Sequence, residues 1–127
     1  MSKAQVSQLV GRANALVQAG QLVQAENLAR QVLAVQRKNP GALTVMGLIA
    51  QARGRYAEAA DWHRKVIAVD GKNPLCHCNL GRTYVVRGQL TRALASFEKA
   101  LKLRPGSPEA IAGKADVLER QGRSDRA

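Results

Sequence analysis

Residues 74–107 read PLCHCNLGRTYVVRGQLTRALASFEKALKLRPGS, and this stretch decides the fold. It opens on Asn73-Pro74. The Asn side chain can accept from an orphan N–H of the first helical turn, and proline suits the first helical position because its missing N–H costs nothing there. Gly88 can take the left-handed conformation that closes a helix. Directly after it, Leu90, Ala93, Leu94, Phe97, Ala100 and Leu101 recur at i, i+3, i+4, i+7, while Arg92, Ser96 and Lys99 make the other face polar. The stretch therefore predicts two helices joined by a tight turn. Small residues at Gly81 and Ala93 let the two backbones approach, and larger ones would overpack at a cost of about 1–3 kcal/mol.

Working outward, the same punctuation returns every 34 residues. Gly20, Gly54, Gly88 and Gly122 keep that period, as do Ala25, Ala59, Ala93 and Ala127, and Ala13, Gly47, Gly81 and Ala115. Asn39-Pro40, Asn73-Pro74 and Ser107-Pro108 mark the starts of successive units. The period divides a single domain, residues 1–127, into repeats 6–39, 40–73, 74–107 and a partial repeat 108–127, with Gly122 expected to close its first helix and a vestigial second helix after it. One helix pair cannot bury its own apolar stripe, so the repeats must stack. With 46% apolar residues but only 3% aromatics, the composition favours close-packed helices over a sandwich or barrel. An all-α class follows.

Twenty Lys and Arg against nine Asp and Glu give a formal charge of +11, an argument about long-range attraction to anionic partners and not about fold. The first residues lack the apolar core of a secretory signal, and the longest near-apolar run, Ala42 to Ala50, is too short to span a bilayer. These features imply a cytoplasmic location without a membrane span. Cys76 and Cys78 sit too close in one predicted helix to pair, which excludes a disulfide framework.

The third repeat resembles the tetratricopeptide repeat: His77-x2-Leu80-Gly81-x2-Tyr84, then Ala93-x3-Phe97, then Pro105 match that family's pattern, with His77 where a large apolar residue is usual. The second repeat keeps Leu43, Met46, Gly47, Tyr56 and Ala59 but has Ala50, His63 and Gly71 in the slots of Tyr84, Phe97 and Pro105; the first is more degenerate, with Arg12 in the slot of Met46 and Leu80. The resemblance covers residues 6–127. It implies a right-handed α-solenoid of antiparallel helix pairs whose first helices line a concave groove, and a role as a scaffold for protein–protein contacts.

By that resemblance the groove is lined by Val10, Asn14 and Val17, then Thr44, Leu48 and Gln51, then Leu75, Cys78, Arg82 and Val85, then Glu109, Asp116 and Glu119. Some family members grip a C-terminal carboxylate with Lys, Asn, Asn, Lys and Arg. The matching residues here are Val10, Asn14, Val45, Leu75 and Asn79, or one repeat later Thr44, Leu48, Asn79, Glu109 and Gly113, so such a clamp is not expected. The partner-binding residues expected are Asn14, Val17, Thr44, Leu48, Leu75, Cys78, Arg82 and Val85. They offer aliphatic contact beside one fixed cation, which suits an amphipathic helix or an extended segment with an acidic side chain. The competing reading has the aliphatics packing neighbouring helices and Arg82 paired with Asp116.

Cys76-His77-Cys78 with His63 suggests zinc, yet successive helical residues radiate about 100° apart and cannot converge on one ion. His63 and His77 are read instead as core residues in slots that are Phe97 and Leu43 elsewhere. No nucleophile with a base, no paired carboxylates and no phosphate loop stand out, so neither catalysis, nor a cofactor, nor a metal is expected. Arg37, Lys38, Arg53, Arg55, Lys72, Arg87, Lys102 and Arg104 fall at turns, where cations complement helix C-termini. They would also form basic edges, which makes nucleic-acid binding an alternative, although Tyr84 and Phe97 belong to the core pattern and leave few stacking platforms. In the last helix Ile111, Ala115 and Leu118 form an apolar stripe open to more chain, a second copy or a partner. Residues 113–123 resemble loosely the tetratricopeptide segments that precede bacterial transferase domains such as sulfotransferases, which would make the chain a recognition arm of a larger enzyme.

Overall fold

The computed structural model describes residues 1–126 and contains, among them, seven α-helices and no strand. The chain divides into two compact units, Met1–Val69 and the residues from Asp70 on.

The first unit holds α1 (Lys3–Gln18), α2 (Leu22–Val35), α3 (Pro40–Ala52) and α4, which begins at Tyr56. Ser2 caps α1 reciprocally: its Oγ accepts from Gln5 N at 3.1 Å while its own N donates to Gln5 Oε1 at 2.7 Å. Asn39 caps α3, its Oδ1 accepting from Ala42 N at 2.9 Å with Pro40 at the first helical position. Gly20 and Gly54 close α1 and α3 with φ of 78° and 76°, the left-handed backbone their period predicts. Ala13, Ala25, Ala29, Val45, Met46 and Ile49 form the core, and Leu16, Leu28 and Trp62 pack against it. Helix α3 is buried on most of its circumference because α1, α2 and α4 all pack on it, which is why its sequence is apolar nearly all round.

Glu26 ties α2 to the end of α3, accepting from Arg53 at 2.8 Å and from Arg30 at 2.7 Å. The Arg53 hydrogen bond first, and then that of Arg30, hold its carboxyl below the ordinary value of 4.5. A depressed folded pKa gives stabilisation that is complete above the unfolded value and lost as pH falls through the folded one. The pair is partly solvated, so Glu26→Gln is expected to lower stability at pH 7 by about 0.5–1 kcal/mol. Urea midpoints should show that difference at neutral pH and its progressive loss as the pH falls below 4.5 and Glu26 takes up its proton.

The second unit holds α5 (Pro74–Val86), α6 (Leu90–Leu103) and α7 (Pro108–Arg126). Asn73 Oδ1 accepts from Leu75 N at 3.1 Å and Ser107 Oγ from Ala110 N at 3.3 Å, so both predicted caps form. Gly88 closes α5 at φ 75°. Phe97 fills the centre at 1% exposure, with Leu80, Tyr84, Ala93, Ala100, Ala110 and Val117 also buried. Ser96, placed on the polar face by periodicity, is buried as well.

The expected turn at Gly122 does not form. Helix α7 runs through it to Arg126, and Gly122 is not among the left-handed glycines. A helix tolerates this glycine at a cost of only about 1 kcal/mol, and the polar residues Arg123-Ser124-Asp125-Arg126 continue α7 beyond it. Ala127, the fourth of the periodic alanines, lies outside the described residues.

Candidate protein-binding surface

In the first unit the surface begins where α1 and α3 touch. A Cβ on Gly41 would stand 2.7 Å from Val10 Cγ1, so the absence of a side chain there lets the two first helices close on each other. One and two turns further along lie Asn14 and Val17 on α1 and Thr44 and Leu48 on α3. Asn14 is exposed; Val17, Thr44 and Leu48 are half-buried. Thr44 Oγ1 donates to Pro40 O at 2.8 Å, so its hydroxyl is engaged within α3 and its methyl is left for contact.

In the second unit Leu75, Cys78, Arg82 and Val85 follow one another at i, i+3, i+7 and i+10 along one side of α5. Leu75 is 50% exposed, Val85 half-buried and Arg82 exposed. Cys78 is different: at 0% exposure it offers nothing to a partner, because it lies against the start of α7, beside Ser107. Arg82 does not pair with Asp116. Its guanidinium donates to Asn79 Oδ1 at 2.6 Å, one turn back on its own helix, while Asp116 accepts from Arg120 at 3.0 Å. Arg82 therefore keeps an uncompensated charge among the described residues, aimed by a neutral neighbour.

The residues with metal-like or nucleophilic chemistry are placed as packing. His63, 1% exposed, lies over Gly47, as Phe97 lies over Gly81 one repeat later. His77 is buried with Nε2 2.9 Å from Gly71 O. Burial, reinforced by the Asp70 carboxylate, pushes the Cys76 thiol up to about 11, and burial raises Cys78 too. Both are protonated at neutral pH and poor nucleophiles. Among the described residues no three His, Cys, Asp or Glu side chains group to hold a metal, and no helix is long and apolar enough to cross a membrane. On α7, Ile111 and Leu118 remain about half exposed, whereas Ala110 and Val117 on its other side are fully buried.

Solved structures share this fold. The tetratricopeptide domain of Sgt2 from Aspergillus fumigatus superposes with a TM-score of 0.88 at 20% identity over 97% of this chain and 83% of that one. A mutant O-GlcNAc transferase of Thermobaculum terrenum superposes at 0.85 with 30% identity, covering 93% of this chain but 23% of that enzyme. The Yersinia enterocolitica type III secretion chaperone SycD, solved with a peptide of the translocator YopD, gives 0.80 at 18% identity over 94% of this chain and 97% of that one. Among curated proteins none matches the sequence. The Tetratricopeptide repeat family model matches residues 10–74 and 78–127. With the helix pairs, the left-handed turn glycines and the aromatic-on-glycine contacts already in place, the chain belongs to the tetratricopeptide repeat family.

Proposed function

We propose that the chain is a non-catalytic interaction module that holds a segment of a partner polypeptide on the faces of its first helices. The observation that carries this reading is Arg82: an exposed cation, oriented by Asn79 and without a carboxylate partner among the described residues, between the exposed Leu75 and the half-buried Val85. Such a row suits an amphipathic helix or extended strand that presents one acidic side chain between apolar ones. Val17 and Leu48 offer the same kind of aliphatic contact in the first unit. SycD in complex with a translocator peptide lends support by analogy of fold.

The test is capture from the source lysate at low and high salt, with the bound protein identified and its affinity measured for wild type, Leu48→Glu and Arg82→Glu. A partner retained at high salt, and weakened by about ten- to a hundredfold in either variant at unchanged helicity, is the expected result. Binding that vanishes with salt and ignores both variants would replace this reading with nucleic-acid contact along the basic edges.

A second reading is favoured by one observation, the 30% identity to a segment of a much longer transferase. In it the chain serves as the recognition arm of a larger enzyme, with the same surfaces selecting the acceptor polypeptide. A native reading frame that continues into a catalytic domain after Ala127 would support it, and an immediate stop codon would end it.

A further inference from the structure

The first unit contains a second concavity, away from the residues assigned to partner binding. It is a cavity of about 490 Å³ between the end of α2, α3 and α4, walled by Leu33, Trp62 and Val69 and rimmed by Arg37, Lys38 and Lys65. That volume lies within the range of ligand-binding pockets and exceeds the needs of a single side chain. Lys65 Nζ sits 4.5 Å from the centre of the Trp62 ring, which keeps the ammonium at the mouth.

The charge here is not balanced from within. The carboxylates of this unit are Glu26, Glu58 and Asp61, and each engages an arginine that does not line the hollow: Glu26 binds Arg30 and Arg53, Glu58 faces Arg55 at 3.9 Å, and Asp61 binds Arg64 at 2.7 Å. Asp70, the residue after Val69, accepts from Asn73 Nδ2 at 3.2 Å. Three cations thus rim an apolar hollow whose lining carries no carboxylate.

We infer that this cavity is a second docking site, taking a partner segment in which an apolar side chain fills the hollow while Asp or Glu within two residues of it meets Arg37, Lys38 and Lys65. The hollow supplies the hydrophobic part of the affinity, and the rim selects acidic flanks over neutral or basic ones. This site is independent of the first-helix surfaces and stands whether or not they bind.

Trp62 is the only tryptophan of the chain, so its emission reports on the hollow directly. A phage-displayed random dodecapeptide library selected on the whole chain should yield tryptophan-free binders with Phe, Leu, Ile or Met beside Asp or Glu. Those peptides, made synthetically, should shift Trp62 emission on binding. Their affinity should fall about tenfold or more in Lys65→Glu and in Val69→Glu, both exposed positions, and remain unchanged in Lys99→Glu, an exposed lysine of α6. Circular dichroism on both variants, with Lys65→Ala as a milder companion, separates lost contact from lost fold. The inference is overturned if no binder emerges, if the binders lack acidic residues, or if they bind Lys65→Glu and Val69→Glu as well as wild type. It is also overturned if Trp62 responds only to dodecanoate or to phosphatidylglycerol vesicles.

Discussion

Replacing Phe97 by alanine is expected to destabilise the second unit by about 3–5 kcal/mol, enough to leave it largely unfolded if its stability is of ordinary size. The ring is 1% exposed and touches two helices besides its own. Its tip lies against Gly81 of α5, where a Cβ would come within 2.8 Å of Cζ, and its edge lies against Gly113 of α7, where a Cβ would come within 2.5 Å of the same atom. No neighbouring side chain can move into the space from either glycine, so the cavity left by truncation stays open and its full cost applies. Hydrogen exchange should show α5, α6 and α7 losing protection while the Met1–Val69 unit keeps its own. Phe97→Leu retains most of the volume and should cost less than about 1.5 kcal/mol.

Gly113→Val is expected to be nearly as damaging for the opposite reason. A glycine in a helix interior is ordinarily improved by a side chain, by up to about 1 kcal/mol for alanine. Here the new methyls enter the Phe97 ring, and the ring cannot retreat because its tip already occupies the space beside Gly81. Overpacking of this kind costs about 1–3 kcal/mol and exceeds any gain in propensity, so the sign of the change itself identifies packing as the cause. Denaturant midpoints of Gly113→Val, Phe97→Leu and the double variant form a cycle whose coupling should favour the double variant by about 0.5–3 kcal/mol, since the smaller side chain makes room.

Much of this fold was legible because its punctuation is periodic. Asn39, Asn73 and Ser107 cap helices and Gly20, Gly54 and Gly88 close them, all at positions that the 34-residue spacing names in advance, whereas Gly81, read as letting the second helix approach at Ala93, meets the Phe97 ring. Gly113 was not legible, because it stands off that period: its slot one repeat earlier is Asn79. Gly122 misled for the converse reason: it keeps the period but stands inside a continuous α7.

The candidate surface was legible only in outline. Helical spacing places Leu75, Arg82 and Val85 on one side of α5, but it carries no information about depth, and Cys78, on that same side, lies beneath the start of α7. Nor does spacing show which partner a charge takes. Asp116 was open to Arg82 by register, and the competition was decided by Arg120, one turn along α7, which holds that carboxylate. The cavity beside Trp62 left no signal at all, since Arg37 and Lys38 are distant from Lys65 in sequence and each was sufficiently explained as a cation near a helix end.

The pairing of His63 with Gly47 and of Phe97 with Gly81 bears on how such a chain can change over generations. In the second and third repeats the plug and the socket lie within one helix pair, with histidine in one and phenylalanine in the other. A repeat that is duplicated or exchanged brings that half of the contact with it, whereas the far side of the Phe97 ring is matched by Gly113 of the helix that follows. Only the glycines that meet such a plug are held to their size; the residues on the outer faces are free to be rewritten for a new partner while the framework beneath them keeps its dimensions.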